Sequence, residues 1–506
     1  MRVLVAAASV LVLTTAAVFL PSCSDDPAAT PSEGDAGTGD GSTPDAIPPL
    51  VDAAPDGPAA SLEYRGGTRL RPIVTTGGGA KIFSRFHDST LDVDCAYETL
   101  LDGARHCTPT STRPGSVYFV DATCTQKIVG WPASCAPTTP AKYAEYTNYD
   151  VACSAPEVLE LGVASAPATT YEKQNGTCTA YAGPALTYRS VTRTVAPSEL
   201  VTGTVAREPR GKQLFATYID GSDGSRQPFA IEDSAPHAGR CDEMKMSDSS
   251  MRCAPTKLAF IEGLFGEATC TTEAAYEPGY TADCVLPPVA ILASVQGTCS
   301  GFYAAKYFEV GAKLASTVYQ GTPASCTLYP SSTADARFYG KGAAIADTAF
   351  AALKHVHGPG TPLDIDSLAV ETGETLHPSS FWDPAHAFAC AASKATDGKM
   401  RCASRQADVL DFADAACAQP LATVEHSNAG CAAAVAPAYV SLSVPAADLC
   451  GPSSLRLWRV GAKVSPAQLY GGSSCTAHPP SAGVDYYATT TEVPAADLVE
   501  LTEVIE

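Results

Sequence analysis

Three times along this chain, two cysteines enclose eleven residues: Cys95–Cys107 (C-AYETLLDGARH-C), Cys241–Cys253 (C-DEMKMSDSSMR-C) and Cys390–Cys402 (C-AASKATDGKMR-C). An Asp stands five residues before the second cysteine each time, at Asp102, Asp248 and Asp397, and Arg105, Arg252 and Arg401 follow it. Four further cysteines trail each pair. The full sets are Cys95, Cys107, Cys124, Cys135, Cys153, Cys178; then Cys241, Cys253, Cys270, Cys284, Cys299, Cys326; then Cys390, Cys402, Cys417, Cys431, Cys450, Cys475. Chance does not repeat such a ruler. The first cysteines of the sets are 146 and 149 residues apart, the length of a small domain rather than of a solenoid repeat.

Other positions keep the same step. An acid lies three residues before the third cysteine (Asp121, Glu267, Asp414), and another lies upstream of the first (Asp88, Asp233, Asp383). Gly162, Gly311 and Gly461 precede the sixth cysteine, and Tyr188, Tyr339 and Tyr487 follow it. The reading is three β modules, at 63–208, 209–357 and 358–506. Segments such as RLRPIV, KIFSRF, VYFVD and VLELGV are rich in β-branched and aromatic residues and are separated by Gly, Pro, Asp and Ser. Eight to ten strands per module are expected, and the class is all-β. The stretch 345–356 (IADTAFAALKHV) is the best helix candidate. Short joins between modules favour one body with pseudo-threefold symmetry, a six-bladed propeller if each module forms two blades. Three packed disulfide-rich β domains are the alternative.

Asp102-Gly103 and Asp397-Gly398 read as two-residue hairpin turns, since Asp-Gly tolerates two positive φ angles. Such a turn sets Cys107 opposite Glu98, three residues from Cys95. Side chains alternate along a strand, so the two cysteines are expected on opposite faces and not as direct partners unless a bulge intervenes. Six cysteines allow fifteen connectivities, and the spacing selects none.

Nineteen cysteines fit an oxidising compartment, and the odd one is Cys23. Residues 1–22 read as a signal peptide, with Met1-Arg2 before an apolar run from Val3 to Leu20. Leu20-Pro21-Ser22-Cys23 resembles the bacterial lipobox, which implies cleavage before Cys23 and lipidation of it. Three acyl chains suffice for stable anchoring. Ser24 after the lipidated residue implies sorting to the outer membrane, facing the periplasm or the medium. Residues 23–62 are rich in Pro, Ala, Gly and Asp with no aromatic, and read as a disordered tether reaching roughly 30–35 Å.

A net charge of −21 argues against nucleic-acid binding, which rests on Lys and Arg neutralising phosphates. The recurring acids read as strand-end caps and the arginines as hairpin contacts, because a catalytic group is usually unique in a chain. His355-Val356-His357 places two imidazoles on one side of a strand, short of the three or four ligands a metal site needs. Asp220 to Ser225 looks like a calcium loop, but Ile231 stands where an EF-hand needs Glu, so it reads as a hairpin turn. Asn175-Gly-Thr177 matches a glycosylation sequon with no expected use in a bacterial lipoprotein. G-x-S-x-G, H-E-x-x-H, Walker and Rossmann motifs are absent. No catalytic, cofactor or metal residue is assigned.

The lipobox, the acidic tether, Asp397-Gly-Lys-Met-Arg-Cys402, Tyr118 to Cys124 and the V-G-A-K at Gly311 and Gly461 together resemble a family of uncharacterised cysteine-rich surface lipoproteins of myxobacteria. That resemblance carries no activity with it. The expected function is a non-enzymatic binding or structural role at the cell envelope. The expected partners are the membrane, through the anchor, and an extracellular glycan or protein, contacted by tyrosines such as Tyr188, Tyr339 and Tyr487 if these are not core. The alternative is a hydrolase whose site lies at a propeller axis.

Overall fold

The computed structural model describes residues 63–506 except 111–114, 134–140, 149–153, 175, 235–238, 247, 249, 279–289, 296–303, 315–316, 330–335, 359, 405–410, 426–435, 446–452, 472–474 and 482. The expectations for the signal peptide, Cys23, the tether, Asn175 and Cys135, Cys153, Cys284, Cys299, Cys431 and Cys450 lie outside the described residues. Among the described residues there are 36 strands, three short 3₁₀ turns and no α-helix. Twelve strands begin in each of 63–208, 209–357 and 358–506, more than the expected eight to ten.

In the first segment β1 (Leu70–Gly77), β2 (Ala80–Asp88), β3 (Val93–Thr99) and β4 (Arg105–Pro109) form an antiparallel meander. The chain then builds a second sheet and returns as β12 (Thr202–Arg210). Its start pairs with β4 and its length pairs with β13 (Leu214–Gly221), the first strand of the next segment. The second segment repeats the order with β13, β14 (Arg226–Asp233), β15 (Gly239–Lys245) and β16 (Met251–Pro255), and returns as β24 (Lys354–His357). β24 pairs with β25 (Asp364–Ala369), which opens the meander β25, β26 (Thr375–Asp383), β27 (Phe388–Lys394) and β28 (Met400–Ser404). The last strand, β36 (Thr502–Ile505), pairs with β1. Bridges Arg252↔Ala352 and Arg401↔Glu500 stand where β4 meets β12. The hand-over from segment to segment therefore closes into a cycle.

The cores follow the same hand-over. Cys95–Cys107 is buried with Leu70, Phe86 and Tyr97, and Ile219 of the second segment completes that cluster. Cys241–Cys253 is buried with Leu214 and Tyr218, completed by Leu368, Val370 and Leu376 of the third. Cys390–Cys402 is buried with Phe381, Phe388 and Leu457, completed by Ala80 of the first.

The hairpin cysteines are bridged, at Cα–Cα distances of 5.3, 5.2 and 5.2 Å, contrary to the expectation from a two-residue turn. The loop is three residues long. Leu100 N–H bonds Ala104 C=O and Gly103 N–H bonds Leu100 C=O, with Gly103 at φ +76. The extra residue changes the parity: Cys95 faces Pro109 and Cys107 faces Tyr97. Cys95 and Tyr97 share a face, so the cysteines are diagonal neighbours on one side. Ala395, Gly398 (φ +82) and Lys399 repeat this geometry, and Met246 with Ser250 closes the loop that lacks glycine at this position. Bridges Cys124–Cys178, Cys270–Cys326 and Cys417–Cys475 complete the six described disulfides.

The second sheets do not have the consecutive four-stranded order of propeller blades. In the first, β5 (Ser116–Phe119), β6 (Lys127–Pro132), β7 (Tyr143–Tyr146), β8 (Glu157–Ser165), β9 (Tyr171–Gln174), β10 (Thr177–Ala180) and β11 (Leu186–Thr194) lie in the order β10-β9-β5-β6-β11-β8-β7. In the third, β29 (Asp411–Phe412), β30 (Pro420–Glu425), β31 (Tyr439–Val444), β32 (Ser454–Val464), β33 (Leu469–Gly471), β34 (Thr476–His478) and β35 (Val484–Val493) take the same relative order. In the second, a parallel pair between 258–260 and 290–292 additionally joins the first strand to the third. The recurring glycines sit where the long strands shift register. A Cβ at Gly162, Gly311 or Gly461 would come within 2.5, 2.4 or 2.5 Å of Ser190 Oγ, Gly340 C=O or Thr490 Cγ2.

The helix candidate 345–356 is a 3₁₀ turn, Asp347–Ala349, followed by extended chain. Phe350, Ala351 and Leu353 are buried, and Leu353 N–H bonds Met251 C=O, so tertiary pairing overrides the helical propensity of the alanines.

Replacing Cys390 and Cys402 together by Ser should cost about 2–4 kcal/mol. Because each core is completed by the next segment, urea melts followed by near-UV circular dichroism should shift as one transition. Loss of only a third of the amplitude at lower urea would show independent domains.

Candidate functional site

The recurring carboxylates hold the backbone. Asp88, fully buried, accepts from Thr90 N–H (2.9 Å) and from the Arg69 guanidinium (2.7 Å). Asp383 accepts from Ala385 N–H at 2.9 Å and meets His386 Nδ1 at 2.8 Å. Asp233 accepts from Gln213 Nε2 at 3.2 Å. Asp121, Glu267 and Asp414 each close a loop around the third cysteine, which has φ of +52, +51 and +49 at Cys124, Cys270 and Cys417. Asp121 accepts from Thr125 and Gln126 N–H, Glu267 from Thr271 and Thr272 N–H, and Asp414 from Ala418 and Gln419 N–H. Hydrogen bonds from Thr123 and from Gln126 N–H hold Asp121 well below the usual carboxylate range. Backbone donation from Thr272 first, then the bonds from Thr271, hold Glu267 at about 2. The two acids of each set lie in different sheets: Asp88 ends β2, while Asp121 follows β5.

The hairpin acids act similarly. Asp102 accepts from Ala104 N–H at 3.0 Å and Asp397 from Lys399 N–H at 3.1 Å. Asp397 also pairs with Arg401 (2.6 Å), and Asp248 stands 3.9 Å from Arg252. In the first segment the partner is His106, 2.8 Å from Asp102, rather than Arg105. Register from the second cysteine, not residue type, identifies this equivalence.

His355 and His357 converge on one buried carboxylate. His355 Nδ1 lies 2.9 Å and His357 Nε2 3.5 Å from Asp366 Oδ1. His355 Nε2 meets Glu243 Oε1 at 2.6 Å, while His357 stacks on Trp382 at 4.0 Å. Burial opposes a charge on His355, but its hydrogen bond to Asp366 and the charges of Glu243 and Asp366 outweigh it and raise the imidazole. This is an ion-paired clamp between the second and third segments. Among the described residues no group of three or more His, Cys, Asp or Glu is arranged to hold a metal.

Asp220 to Ser225 forms the β13–β14 turn, and Asp223 accepts from Ser225 N–H at 3.1 Å. Of the aligned tyrosines, Tyr339 and Tyr487 are buried, and Tyr188 packs edge-on to Tyr118 while its hydroxyl meets Thr170 at 3.1 Å. Tyr339 and Tyr487 serve the core.

A cleft of about 680 Å³ lies in the third segment among β30, β35 and the β32–β33 connection. Trp458, Pro466 and Tyr470 supply apolar surface, and Gln419, Gln468 and Thr489 supply amides and a hydroxyl. No carboxylate, imidazole or amine stands among its described lining residues. The Arg456 guanidinium lies 4.6 Å over the Trp458 ring and pairs with Glu492 at 2.8 Å, fixing the indole. The Tyr470 hydroxyl donates to Gln468 Oε1 at 3.2 Å. The Asp414 cap holds the backbone of Ala418 and Gln419 on the rim. Sequence reasoning did not single out Trp458, Gln468 or Tyr470; Tyr470 recurs, pairing with Phe412 as Tyr171 does with Phe119 and Tyr319 with Phe265, whereas Leu159 and Phe308 stand where the third segment has Trp458. A smaller cleft of about 290 Å³ lies between Tyr276, Gln320 and Tyr329.

One family profile matches the chain, over residues 65–444: a family of unknown function, DUF7481. No curated protein and no solved structure matches it.

His355 is raised above its ordinary 6.5, so its stabilising share is fully present below that value and is lost as pH rises through the folded value. His355→Gln should therefore melt lower than the parent at pH 6, with the gap closing toward pH 9. Thermal melts across that range give the result.

Proposed function

We propose that this chain, which belongs to the DUF7481 family, is a lipid-anchored protein of the bacterial outer membrane whose disulfide-braced β body binds an uncharged, hydroxyl-rich ligand such as a neutral saccharide. The observation that carries the binding role is the cleft around Trp458 and Tyr470. Its chemistry is aromatic faces beside amides and a hydroxyl, and ligand sites combine apolar walls with a few placed polar groups in this way. A ligand bearing ionised groups would meet no counter-charge among the described lining residues.

The anchor is proposed from Leu20-Pro21-Ser22-Cys23 and from the tether composition of residues 23–62. The six described disulfides suit an oxidising compartment outside the cytoplasm. The three segments are proposed to be copies of one module, on the recurrence of the bridged hairpin, the capped third cysteine and the returning strand. The cleft then combines a tyrosine that the copies share, Tyr470 with Tyr171 and Tyr319, with a tryptophan, Trp458, that they do not.

Cells fed an alkyne-tagged palmitate should label the full chain and not Cys23→Ala, which should leave the membrane fraction. Detergent-extracted protein screened on a glycan array should retain neutral glycans, and Tyr470→Ala, which spares the core indole of Trp458, should weaken them at least about tenfold, roughly 1.4 kcal/mol. Hydrolysis of array glycans without retention would replace the binding role with the hydrolase alternative.

A further inference from the structure

Residues Glu63 to Leu70 cross the place where the three segments meet. Strand β26 packs there on both β14 and β2. Arg65 and Arg226 exchange two backbone hydrogen bonds of 3.0 Å, joining the crossing residues to β14 of the second segment. The Arg65 Nε donates to Gly224 C=O at 2.9 Å, and Asp223 accepts from Arg69 and Leu70 N–H at 3.1 and 2.7 Å. Tyr64 packs 5.7 Å from Phe83 on β2 and donates to Glu506, which also pairs with Lys81 and bonds Pro72 C=O through its own N–H. Glu63 faces His377 on β26, with 4.0 Å between Oε2 and Nδ1. Eight residues thus touch all three segments and the strand that closes the cycle.

The contact with the third segment is unusual. Glu63 Oε2 and His377 Nδ1 are both buried without a hydrogen-bond partner. His377 Nε2 lies 2.9 Å from Thr217 C=O, and a carbonyl only accepts, so Nε2 carries the proton and Nδ1 presents a lone pair. A neutral carboxyl can offer its proton toward that lone pair, while a carboxylate would oppose it. The nearby cations are committed elsewhere. Arg210 bonds Glu208 at 3.0 Å and the Tyr218 hydroxyl at 3.3 Å, and Arg226 bonds Glu208 at 2.8 Å and Asp220 at 2.7 Å. Tyr218 packs edge-on to His377 at 4.8 Å. The groups facing Glu63 are therefore His377 on β26, Glu208 and Arg210 on β12, Tyr218 on β13 and Arg226 on β14.

We infer that Glu63–Leu70 is a strap across the junction of the three segments, locked by the uncharged carboxyl of Glu63 against His377 and loosened when that carboxyl ionises. Burial pushes Glu63 up to about 7, opposed by Arg210 and reinforced by Glu208, so the carboxyl is neutral in mildly acidic solution, and burial pushes His377 down, which favours its neutral imidazole. The sign follows from proton linkage. Below 4.5 the carboxyl is neutral folded or unfolded; between 4.5 and about 7 only the unfolded chain releases the proton, so this group's share of stability falls as pH rises and then levels.

The test uses the detergent-extracted full chain, with Glu63→Gln as a permanently neutral isostere and Glu63→Ala as a broken lock. Hydrogen exchange of peptides covering 63–70, corrected for intrinsic rates, should be about tenfold faster at pH 8 than at pH 5 in the parent and unchanged with pH in Glu63→Gln. Glu63→Ala should exchange fast at both. Urea midpoints of the parent and Glu63→Gln should agree near pH 5 and separate by pH 8, with Glu63→Gln the more stable. An equal pH response in the parent and Glu63→Gln overturns the lock, as does protection of 63–70 in Glu63→Ala matching the parent at pH 5.

Discussion

The structure depends on one backbone hydrogen bond, made three times. Cys107, Cys253 and Cys402 donate their N–H to Val201, Ala351 and Val499 C=O, each at 2.9 Å. The donor is fixed because its residue is bridged across a hairpin. The acceptor is fixed because a 3₁₀ turn just before it drops Leu200, Phe350 or Leu498 into the core. From that bond the returning chain runs on to pair with the first strand of the next segment. A meander alone would end on two open edges, which invite pairing with other chains. Here the returning strands cover the outer edge of β13, β25 and β1 in turn, and the last of them needs the first strand of the chain as its partner.

The all-β class and the recurrence of acids, glycines and tyrosines were legible because each serves local chemistry. A capped turn, a close approach at a register shift and a buried ring all leave fixed residue types at fixed spacing. Disulfide pairing was not legible, because one loop residue decides it. Asp-Gly fits either a two-residue turn or the last two places of a three-residue loop, and the choice moves Cys107 from opposite Glu98 to opposite Tyr97. His106 was overlooked for a related reason. It replaces an arginine at one position, and the neighbouring Arg105, whose guanidinium lies over the Phe229 ring at 4.4 Å, drew attention by type alone. The non-sequential strand order of the second sheets depends on long-range pairing that spacing between cysteines does not record.

The cleft shows how a repeated scaffold carries a surface varied at single positions. Its rim is set by two features common to the three segments: the carboxylate cap at Asp414 and the bridge Cys417–Cys475. Its walls come from Trp458, Pro466 and Tyr470; Pro466 and Tyr470 match Pro167 and Tyr171 of the first segment, while Leu159 and Phe308 stand where the third has Trp458. Trp458 owes its position to Arg456 and Glu492 meeting across β32 and β35. Those strands shift register at Gly461, so the recurring glycine underlies a contact that sequence pattern alone assigns to no site. Fold and site are separable here, and only residues outside the repeat distinguish one surface from another.

The strap and the His355 clamp place two titrating groups at the joints of the cycle, held in opposite charge states. His355 is held by Asp366 and Glu243 in its charged form, whereas Glu63 is held in its neutral form by burial among cations already paired. Raising pH weakens both contacts, one by removing the positive charge from an ion pair and the other by creating a negative charge where no partner waits. Glu63 and Arg65 lie between segments rather than on a free edge, so the proposed lock would act on the junction itself.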